Sequence, residues 1–249
     1  MKRILFILIT LISIVGFSQS TNSFEEGVNF YKEDEFQQAI ASWSSILESG
    51  EHSTALYYNL ANAYFKNNQL AESIYYYEKA LQLSPSDKDV LNNLAIAQNS
   101  AIDAIEATPE NIFESWYNNT ITLFSFNGWA LLSVVLTILF TILFLWYYYA
   151  NSSSKKRLLF SGSMAVFLIA IVSLTAAFLS QNHTKNNRFA IIFAESTQVR
   201  SEPLLRSEIS FRLHEGTKVK VTEQDSDWVR VELADGKEGW MLKSDLKEL

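Results

Sequence analysis

Residues 54–87 read TALYYNLANAYFKNNQLAESIYYYEKALQLSPSD, with two apolar, helix-periodic segments separated by the polar residues 66–69. Apolar side chains that recur every three or four positions predict a pair of amphipathic helices. Pro85 follows the second segment and is expected to end its helix, because proline lacks an amide donor and clashes with the preceding turn. The stretch is therefore interpreted as a helical hairpin.

The same pattern recurs at intervals of 34 residues over residues 20–107, which indicates a repeat array. The copy after 54–87 is partial, so two hairpins and a capping helix over 87–107 are predicted. Small residues occupy the position where the two helices of one hairpin approach closely, and large residues fill the space between hairpins. The small ones are Gly27, Ala61 and Ala95, and the large ones are Phe30, Trp43, Tyr64 and Tyr77.

The clearest copy resembles the tetratricopeptide repeat (TPR). The usual residues of that family are Trp, Leu, Gly, Tyr, Ala, Phe, Ala and Pro, and they correspond here to Tyr57, Leu60, Ala61, Tyr64, Ser73, Tyr77, Ala80 and Pro85. The resemblance implies an all-α solenoid whose first helices line a concave, protein-binding face. The candidate groove residues on that face are Asn29, Asn59, Asn62, Ala63 and Lys66. Paired asparagines there commonly bind a peptide backbone in TPR proteins, and the alternative is that they are ordinary solvated residues.

Two later runs, 129–150 and 158–180, contain no charged residue. Each is long enough to cross the ~30 Å hydrocarbon core at about 1.5 Å per helical residue. The alternative, two core helices of a large soluble domain, is disfavoured because the sequence shows no such domain around them. The loop 151–157 contains Lys155, Lys156 and Arg157, and basic loops lie preferentially in the cytoplasm. A transmembrane hairpin with both flanks outside is predicted.

The N-terminal residues 1–18 combine Lys2 and Arg3 with a short apolar run and small residues near Ser18. This pattern predicts a secretory signal peptide cleaved after Ser18. The alternative is an uncleaved anchor helix, although the run is shorter than the about 20 residues that a span needs. The signal peptide and the basic loop lead independently to one topology, in which the bacterial inner membrane holds the hairpin and the flanking modules lie in the periplasm.

Residues 108–128 lead into the first apolar run. Thr108 and Pro109 are residue types that favour a helix start. The apolar residues Ile112, Phe113, Trp116 and Tyr117 then follow at helical spacing. This segment is predicted to be an interfacial amphipathic helix. The alternative is a helix that packs on the TPR module.

After a polar linker, 181–188, the pattern changes to period two over residues 189–249. Val219 and Val221 alternate with polar neighbours, as do Val229 and Val231 further along. An Asp-Gly pair at 235–236 is a strong hairpin signal. Several short strands within about 60 residues predict a small β-barrel.

This segment is similar to bacterial SH3 (SH3b, SH3_3-type) domains in the stretches VRSEP at 199–203, LHEGTKV at 213–219, DWVRV at 227–231 and DGKEGWM at 235–241. The family usually has Asn where this chain has Gln198. The resemblance implies a module that binds cell-wall peptides or proteins. Its candidate groove residues are Arg200, Pro203, Trp228 and Trp240. For Trp228 and Trp240 a core position is the competing interpretation.

Composition restricts the functional classes further. A net charge of −7 disfavours nucleic acid as a partner, because phosphate binding needs a face rich in Lys and Arg. No cysteine is present, which excludes disulfides, thiolate metal sites and a Cys nucleophile. His52, His183 and His214 lie in separate segments, and no phosphate loop or nucleophile elbow occurs. We therefore expect no enzymatic activity, cofactor or metal site.

The order of segments describes a multidomain membrane protein with a TPR solenoid, a two-helix transmembrane hairpin and a small all-β SH3-like barrel. Over the entire chain this order resembles the BatE-like TPR/SH3 family of the Bacteroides-type aerotolerance (Bat) operons. The resemblance implies an extracytoplasmic scaffold for von Willebrand A-type Bat proteins, indirectly linked to a MoxR-type ATPase, with a role in aerotolerance or envelope stress. The alternative is an envelope sensor that binds peptidoglycan through its SH3b domain.

Overall fold

The computed structural model describes residues 22–103, 105, 108–109 and 111–249. The predicted signal peptide, 1–18, lies outside the described residues. The chain forms two compact units. The first combines the residues up to Leu83 with Asp87–Thr108 and Phe189–Leu249, and the second combines Ser84–Ser86 with Pro109–Arg188.

The first unit begins with five helices. Residues 22–32 form α1, and they are followed by α2 (Phe36–Glu48), α3 (Thr54–Lys66), α4 (Leu70–Leu83) and α5 (Lys88–Asn99). Both α3 and α5 start at a side-chain cap, since Ser53 accepts from the amide of Leu56, and Asp87 accepts from those of Asp89 and Val90.

Local geometry repeats with the 34-residue period. Asp34 and Asn68 lie 34 positions apart, and both adopt left-handed backbone, with φ of 60° and 59°. Asp and Asn tolerate this conformation in the tight turn that joins two helices. The structure also explains why a small residue stands at position 27, because a Cβ there would clash with the indole ring of Trp43. The two predicted helical hairpins are therefore present.

The same unit ends in a seven-stranded sheet, called here the β domain (189–249). The strands are β1 (Arg188–Ile192), β2 (Ser196–Arg200), β3 (Ile209–His214), β4 (Lys218–Asp225), β5 (Trp228–Glu232), β6 (Glu238–Leu242) and β7 (Leu246–Glu248). Their order in the sheet is β3-β2-β6-β5-β4-β1-β7. Gly236 has a φ of 84° between β5 and β6, so the Asp-Gly turn lies where the sequence predicts it.

Strand β1 joins the helices to the sheet, although 88 residues separate the end of α5 at Asn99 from its start at Arg188. Ala190 and Ile192 belong to the core of the β domain. Ile191 is 0% exposed and belongs to the core formed by α3, α4 and α5. Successive strand residues point to opposite faces, so β1 is buried on both sides. Strand β1 therefore contributes to both cores, and the core that Ile191 forms with the TPR helices is called here the shared core.

Polar contacts surround this junction. The Lys218 ammonium pairs with the Glu78 carboxylate of α4 at 2.7 Å. Asp103, which follows α5, accepts hydrogen bonds from the His214 amide and the Thr217 hydroxyl, each at 2.7 Å. Further along this segment Ile105 packs on the β-domain core. Residues that precede the α6–α8 region in sequence and residues that follow it therefore hold the two modules together.

The second unit contains α6 (Ile112–Ile121), α7 (Phe126–Tyr149) and α8 (Ser153–Asn186). Helices α7 and α8 are long and apolar enough to cross a membrane. They pack as a hairpin through small residues of α8. The Ser133 hydroxyl donates to the carbonyl of Ala170, and the Ser173 hydroxyl donates to that of Trp129. Such close contacts are typical of paired helices in lipid.

Helix α8 is longer at both ends than the predicted span 158–180, and it includes parts of the predicted loop and linker. The helix begins at Ser153, so the three basic residues of 151–157 lie in its first turns. It continues to Asn186, so most of the predicted linker 181–188 is helical. The reason is that residues 181–187 contain neither Gly nor Pro, and polar composition alone does not end a helix.

Candidate functional site

A polar network connects three helices of the TPR module. The Tyr77 hydroxyl of α4 donates to Asn62 Oδ1 of α3. Asn93 Nδ2 of α5 donates to the same oxygen at 3.2 Å and to the Tyr58 hydroxyl at 2.8 Å. Burial raises the pKa of Tyr77, so this hydroxyl stays neutral and remains a donor. The network fixes the Asn62 side chain rather than leaving its oxygen to a ligand.

The five candidate groove residues have different environments. Asn29 on α1 and Lys66 on α3 are exposed, and Asn59 and Asn62 are half-buried. Ala63 is 0% exposed and lies in the core between the first and second hairpins. It therefore offers no surface to a ligand, unlike the position expected from the sequence. Among the residues that the structure describes, no side-chain hydrogen bond joins any two of these five.

Sequence reasoning missed Tyr58, Tyr77 and Asn93 as members of the polar network. For Asn93 a signal was available, because it lies 34 residues after Asn59 and so occupies the same position in the next repeat. For Tyr58 and Tyr77 the signal is weaker, since aromatic residues in a TPR usually pack in the core.

A second candidate surface lies on the outward face of β2, β6 and β5. In β5 and β6 buried residues alternate with half-buried ones, and Trp228 and Trp240 are among the half-buried ones. The strand register places Trp240 directly opposite Arg230 on β5 and Arg200 on β2. Trp228 lies opposite Leu242. The competing interpretation of the two tryptophans as core residues does not match this arrangement.

The two arginines beside Trp240 differ in their charge balance. Arg230 pairs with Glu223 at 2.9 Å and with Glu238 at 2.6 Å. The hydrogen bonds to Glu223 and Glu238 raise the pKa of Arg230. Arg200 instead donates to two neutral acceptors, the carbonyl of Ser207 at 2.7 Å and Gln198 Oε1. Arg200 is thus held in place while its positive charge remains available for an anionic group.

The loop between β2 and β3 adds an apolar edge. The Ser207 hydroxyl donates to the carbonyls of Glu202 and Leu204, which orders the loop. Leu204 and Leu205 are 57% and 71% exposed. Pro203 lies half-buried in the same loop. The structure therefore pairs Arg200 with Trp240 on neighbouring strands. Trp228 lies opposite Leu242, two residues along β6 from Trp240, and Pro203 lies in the adjoining loop.

Arg230, Leu204 and Leu205 belong to this surface, and sequence reasoning did not identify them. Strict alternation along the stretch WVRV would have found Arg230, because residues two apart on a strand share a face. No sequence pattern marks the two leucines, whose exposure depends on how the loop folds.

Comparisons with known proteins agree with both resemblances. Residues 195–247 match the family model of the bacterial SH3 domain. Residues 54–87 match the tetratricopeptide repeat. Both are non-catalytic interaction modules. Comparison with curated proteins gives no match.

Two solved structures are similar at low sequence identity. One is a TPR-repeat protein from Bacteroides fragilis, at 12% identity and a TM-score of 0.29, covering 70% of this chain and 81% of the other. The second is the SMG5–SMG7 complex of C. elegans, at 11% identity and a TM-score of 0.31, covering 68% of this chain and 44% of the other. Both TM-scores are low, so the fold assignment rests on the two family models and on the observed helices and strands.

Proposed function

We propose that this chain is a membrane-anchored extracytoplasmic scaffold that binds proteins through its TPR module. The observation that carries the proposal is the shared core, in which two non-catalytic interaction modules form one unit around Ile191. The whole-chain resemblance supports von Willebrand A-type Bat proteins as the partners, with an indirect link to a MoxR-type ATPase and to aerotolerance or envelope stress.

The shared core also supports the proposed topology. The TPR helices precede the α7–α8 hairpin in sequence and the β domain follows it, yet both belong to one unit. Two segments can share a core only if they lie on the same side of a membrane. Lys155, Lys156 and Arg157 in the first turns of α8 favour the cytoplasm for the tip of the hairpin. The unit would then lie in the periplasm of an inner-membrane protein.

Helix α6 is proposed to lie in the membrane interface. Ile112, Phe113 and Trp116 are 84%, 83% and 69% exposed, and they follow one another at helical spacing. The end of α6 is tied to the start of α7, because Trp129 Nε1 donates to the carbonyl of Ile121 at 3.1 Å. A short helix with an apolar stripe that is followed closely by a span fits the headgroup region of the same bilayer.

Substituting both Phe113 and Trp116 with Ser is expected to move α6 out of the interface. The measurement is quenching of a fluorophore at position 112 by lipids brominated near the headgroups, with full-length protein in liposomes. Quenching should fall at least about threefold, because two large apolar anchors are removed. Substituting Thr120 and Thr122 with Ser is the control and should leave quenching unchanged. Equal quenching in all three proteins would show that α6 packs on protein instead.

The scaffold role is tested by cross-linking the full-length protein in its native membrane and identifying the co-purified proteins. Lys66→Glu reverses the charge of an exposed residue of α3 without touching the core. Lys243→Glu, a similar change on the β domain, is the control. Deletion of the TPR module is a poor control, because it would expose Ile191 and remove the partner of Lys218, and so would change the β domain as well.

We expect Lys66→Glu to lower the recovery of von Willebrand A-type proteins about tenfold, which corresponds to about 1.4 kcal/mol of binding free energy. Lys243→Glu should leave recovery unchanged. Recovery that is the same for all variants, or that yields no integral membrane protein, would reject the TPR face as the docking site.

A second candidate function is peptidoglycan binding by the β domain. The observation that favours it is the row formed by Arg200, Trp240 and Arg230, with Trp228 beside it. A half-exposed indole can stack on a sugar ring or a peptide, and the charge of Arg200 can pair with a stem-peptide carboxylate.

Trp240→Ala is expected to reduce binding of the full-length protein to purified cell wall about tenfold, as for an aromatic anchor at the centre of a site. Trp116→Ala, which removes an exposed indole outside the β domain, is the matched control. Sedimentation with insoluble wall material measures the bound fraction. If wild type and both variants sediment equally, the β domain is not a wall-binding module.

A further inference from the structure

The register of β1 and β7 determines which side chains the β domain turns toward the TPR helices. Ile191, whose side chain belongs to the core of those helices, pairs directly with Lys247 on β7. Residues that lie opposite each other in an antiparallel pair point to the same face of the sheet. The Lys247 side chain therefore lies on the helix-facing side of the β domain.

Lys79 of α4 reaches the same place from the helix side. Its Nζ lies 5.6 Å from the ring centre of Tyr75, and Lys247 Nζ lies 4.4 Å from the same ring centre. Tyr75 is 7% exposed and meets Phe193 edge to face, with the ring centroids 5.8 Å apart. Two ammonium groups, called here the lysine pair, thus converge on one buried ring where α4 contacts the β domain.

The lysine pair has no carboxylate that balances its charge. Nearby, α4 and the sheet contribute one compensated pair, in which Lys218 contacts Glu78 at 2.7 Å. Among the residues that the structure describes, neither Lys79 nor Lys247 forms an ion pair. This part of the junction therefore holds two positive charges in excess.

The environment of Lys79 shows that this excess is unfavourable. Burial lowers the pKa of Lys79, and the charge of Lys247 lowers it further. A half-buried ammonium has lost part of its water, and a like charge beside it disfavours the protonated form again. The Tyr75 ring attracts each cation, but it does not remove the repulsion between the two. A bound anion would remove it.

We propose that the lysine pair is a binding site for a phosphate group. A phosphate monoester carries about 1.5–2 negative charges at pH 7, which matches the excess of the lysine pair, whereas a carboxylate carries one. Lysine binds phosphate as a point charge, and the three donors at the end of each flexible stem can turn toward the phosphate oxygens. Bound phosphate would contact α4 through Lys79 and β7 through Lys247, and so would stabilise the junction.

This site goes beyond the proposed scaffold function, because neither lysine belongs to the TPR groove or to the surface around Trp240. Free phosphate and a lipid headgroup with a phosphate monoester present the same chemistry. The experiment therefore has one arm for each source, with inorganic phosphate and short-chain phosphatidic acid as the two probes.

The first measurement is titration calorimetry of the full-length protein in detergent with inorganic phosphate, at constant ionic strength so that general screening does not change. Lys79→Gln and Lys247→Gln each remove one charge of the site, and each should weaken phosphate binding at least about tenfold. Lys243→Gln changes an exposed lysine just before β7 and is the matched control, so its affinity should equal that of wild type. Acetate, with one charge, should bind at least about tenfold more weakly than phosphate.

Two further measurements separate loss of the site from loss of the fold. Lys247→Arg keeps the charge and should retain phosphate binding. Phosphate should also raise the denaturant midpoint of wild type and of Lys243→Gln, because a ligand that binds only the folded state stabilises it. The midpoints of Lys79→Gln and Lys247→Gln should not respond to phosphate, and circular dichroism without phosphate checks that both are folded.

The lipid arm identifies the source of the phosphate group. Phosphatidic acid that binds at least about tenfold more tightly than inorganic phosphate, and that loses this affinity in Lys247→Gln, would support a lipid headgroup. Phosphatidic acid that binds no better than inorganic phosphate would support free phosphate. Phosphate binding that is absent in wild type, equal in all the variants, or matched by acetate would overturn the proposal.

Discussion

Ile191→Ala is expected to lower the free energy of unfolding by about 2–5 kcal/mol, the usual cost of truncating a fully buried Ile in a core. Ile191 is 0% exposed and lies on a β strand, but its side chain completes the core of the TPR helices. Its loss leaves a cavity beside Ile74 and the aromatic residues of α4. The substitution should therefore destabilise the helices and the sheet together.

The measurement is chemical unfolding of the full-length protein in detergent, followed by circular dichroism at a helix-sensitive and a sheet-sensitive wavelength. Both signals should shift to lower denaturant by the same amount. Ile209→Ala on β3, where the side chain is 41% exposed, is the control and should cost less than about 1 kcal/mol. Two separate transitions, with only the sheet affected by Ile191→Ala, would show that the modules unfold independently.

The elements of this fold could be predicted where local periodicity specifies them. The helical hairpin at 54–87 and the strand containing Val229 and Val231 both carry such a period, and the structure has them at those places. The two ends of α8 were less predictable from the sequence than these elements. Its polar continuation lacks a residue that stops a helix, and composition was a poor guide to where it ends.

The contact between the two modules is harder to predict, because it joins segments far apart in the chain. One signal was present in the run Ala190, Ile191 and Ile192. Three successive buried residues on a strand need cover on both faces, whereas a strand on the surface of a small sheet alternates. The pattern could show that β1 is covered, but it could not identify α4 as the cover.

The candidate sites show the same limit at the level of single side chains. Ala63 and Asn62 are neighbours on α3, yet Ala63 lies in the core and Asn62 in a polar network. One step along a helix turns a side chain by about 100°, so membership of a face cannot be assigned by proximity in sequence. On strands the period of two is simpler, and it places Trp228 and Trp240 outward once Val229 and Met241 are known to be inside.

Asp103 fixes the segment after α5 to the β domain, and its environment makes that contact dependent on ionisation. The carboxylate accepts from the His214 amide and the Thr217 hydroxyl, and its other oxygen lies 2.9 Å from His214 Nδ1. Burial opposes ionisation of Asp103. The hydrogen bonds from His214 and Thr217 outweigh it and hold the pKa of this carboxyl below its usual 3.8.

Asp103→Ala is expected to cost about 2–4 kcal/mol, because a hydrogen bond to a charged group contributes about 1.5–3 kcal/mol and two donors lose their acceptor. Asp227→Ala, in the exposed turn between β4 and β5, is the matched control and should change stability by less than about 0.5 kcal/mol.

Asp103→Asn retains the shape and one oxygen acceptor but removes the negative charge that strengthens the hydrogen bonds from the His214 amide and the Thr217 hydroxyl, so it should be destabilising at neutral pH. A folded-state pKa below the unfolded value means that the stabilisation is complete above pH 3.8 and is lost as the pH falls through the lower folded pKa. Unfolding measured from pH 7 downward should therefore show a gap between wild type and Asp103→Asn that narrows below pH 3.8. A gap that is constant with pH would mean that the carboxylate charge does not hold this contact.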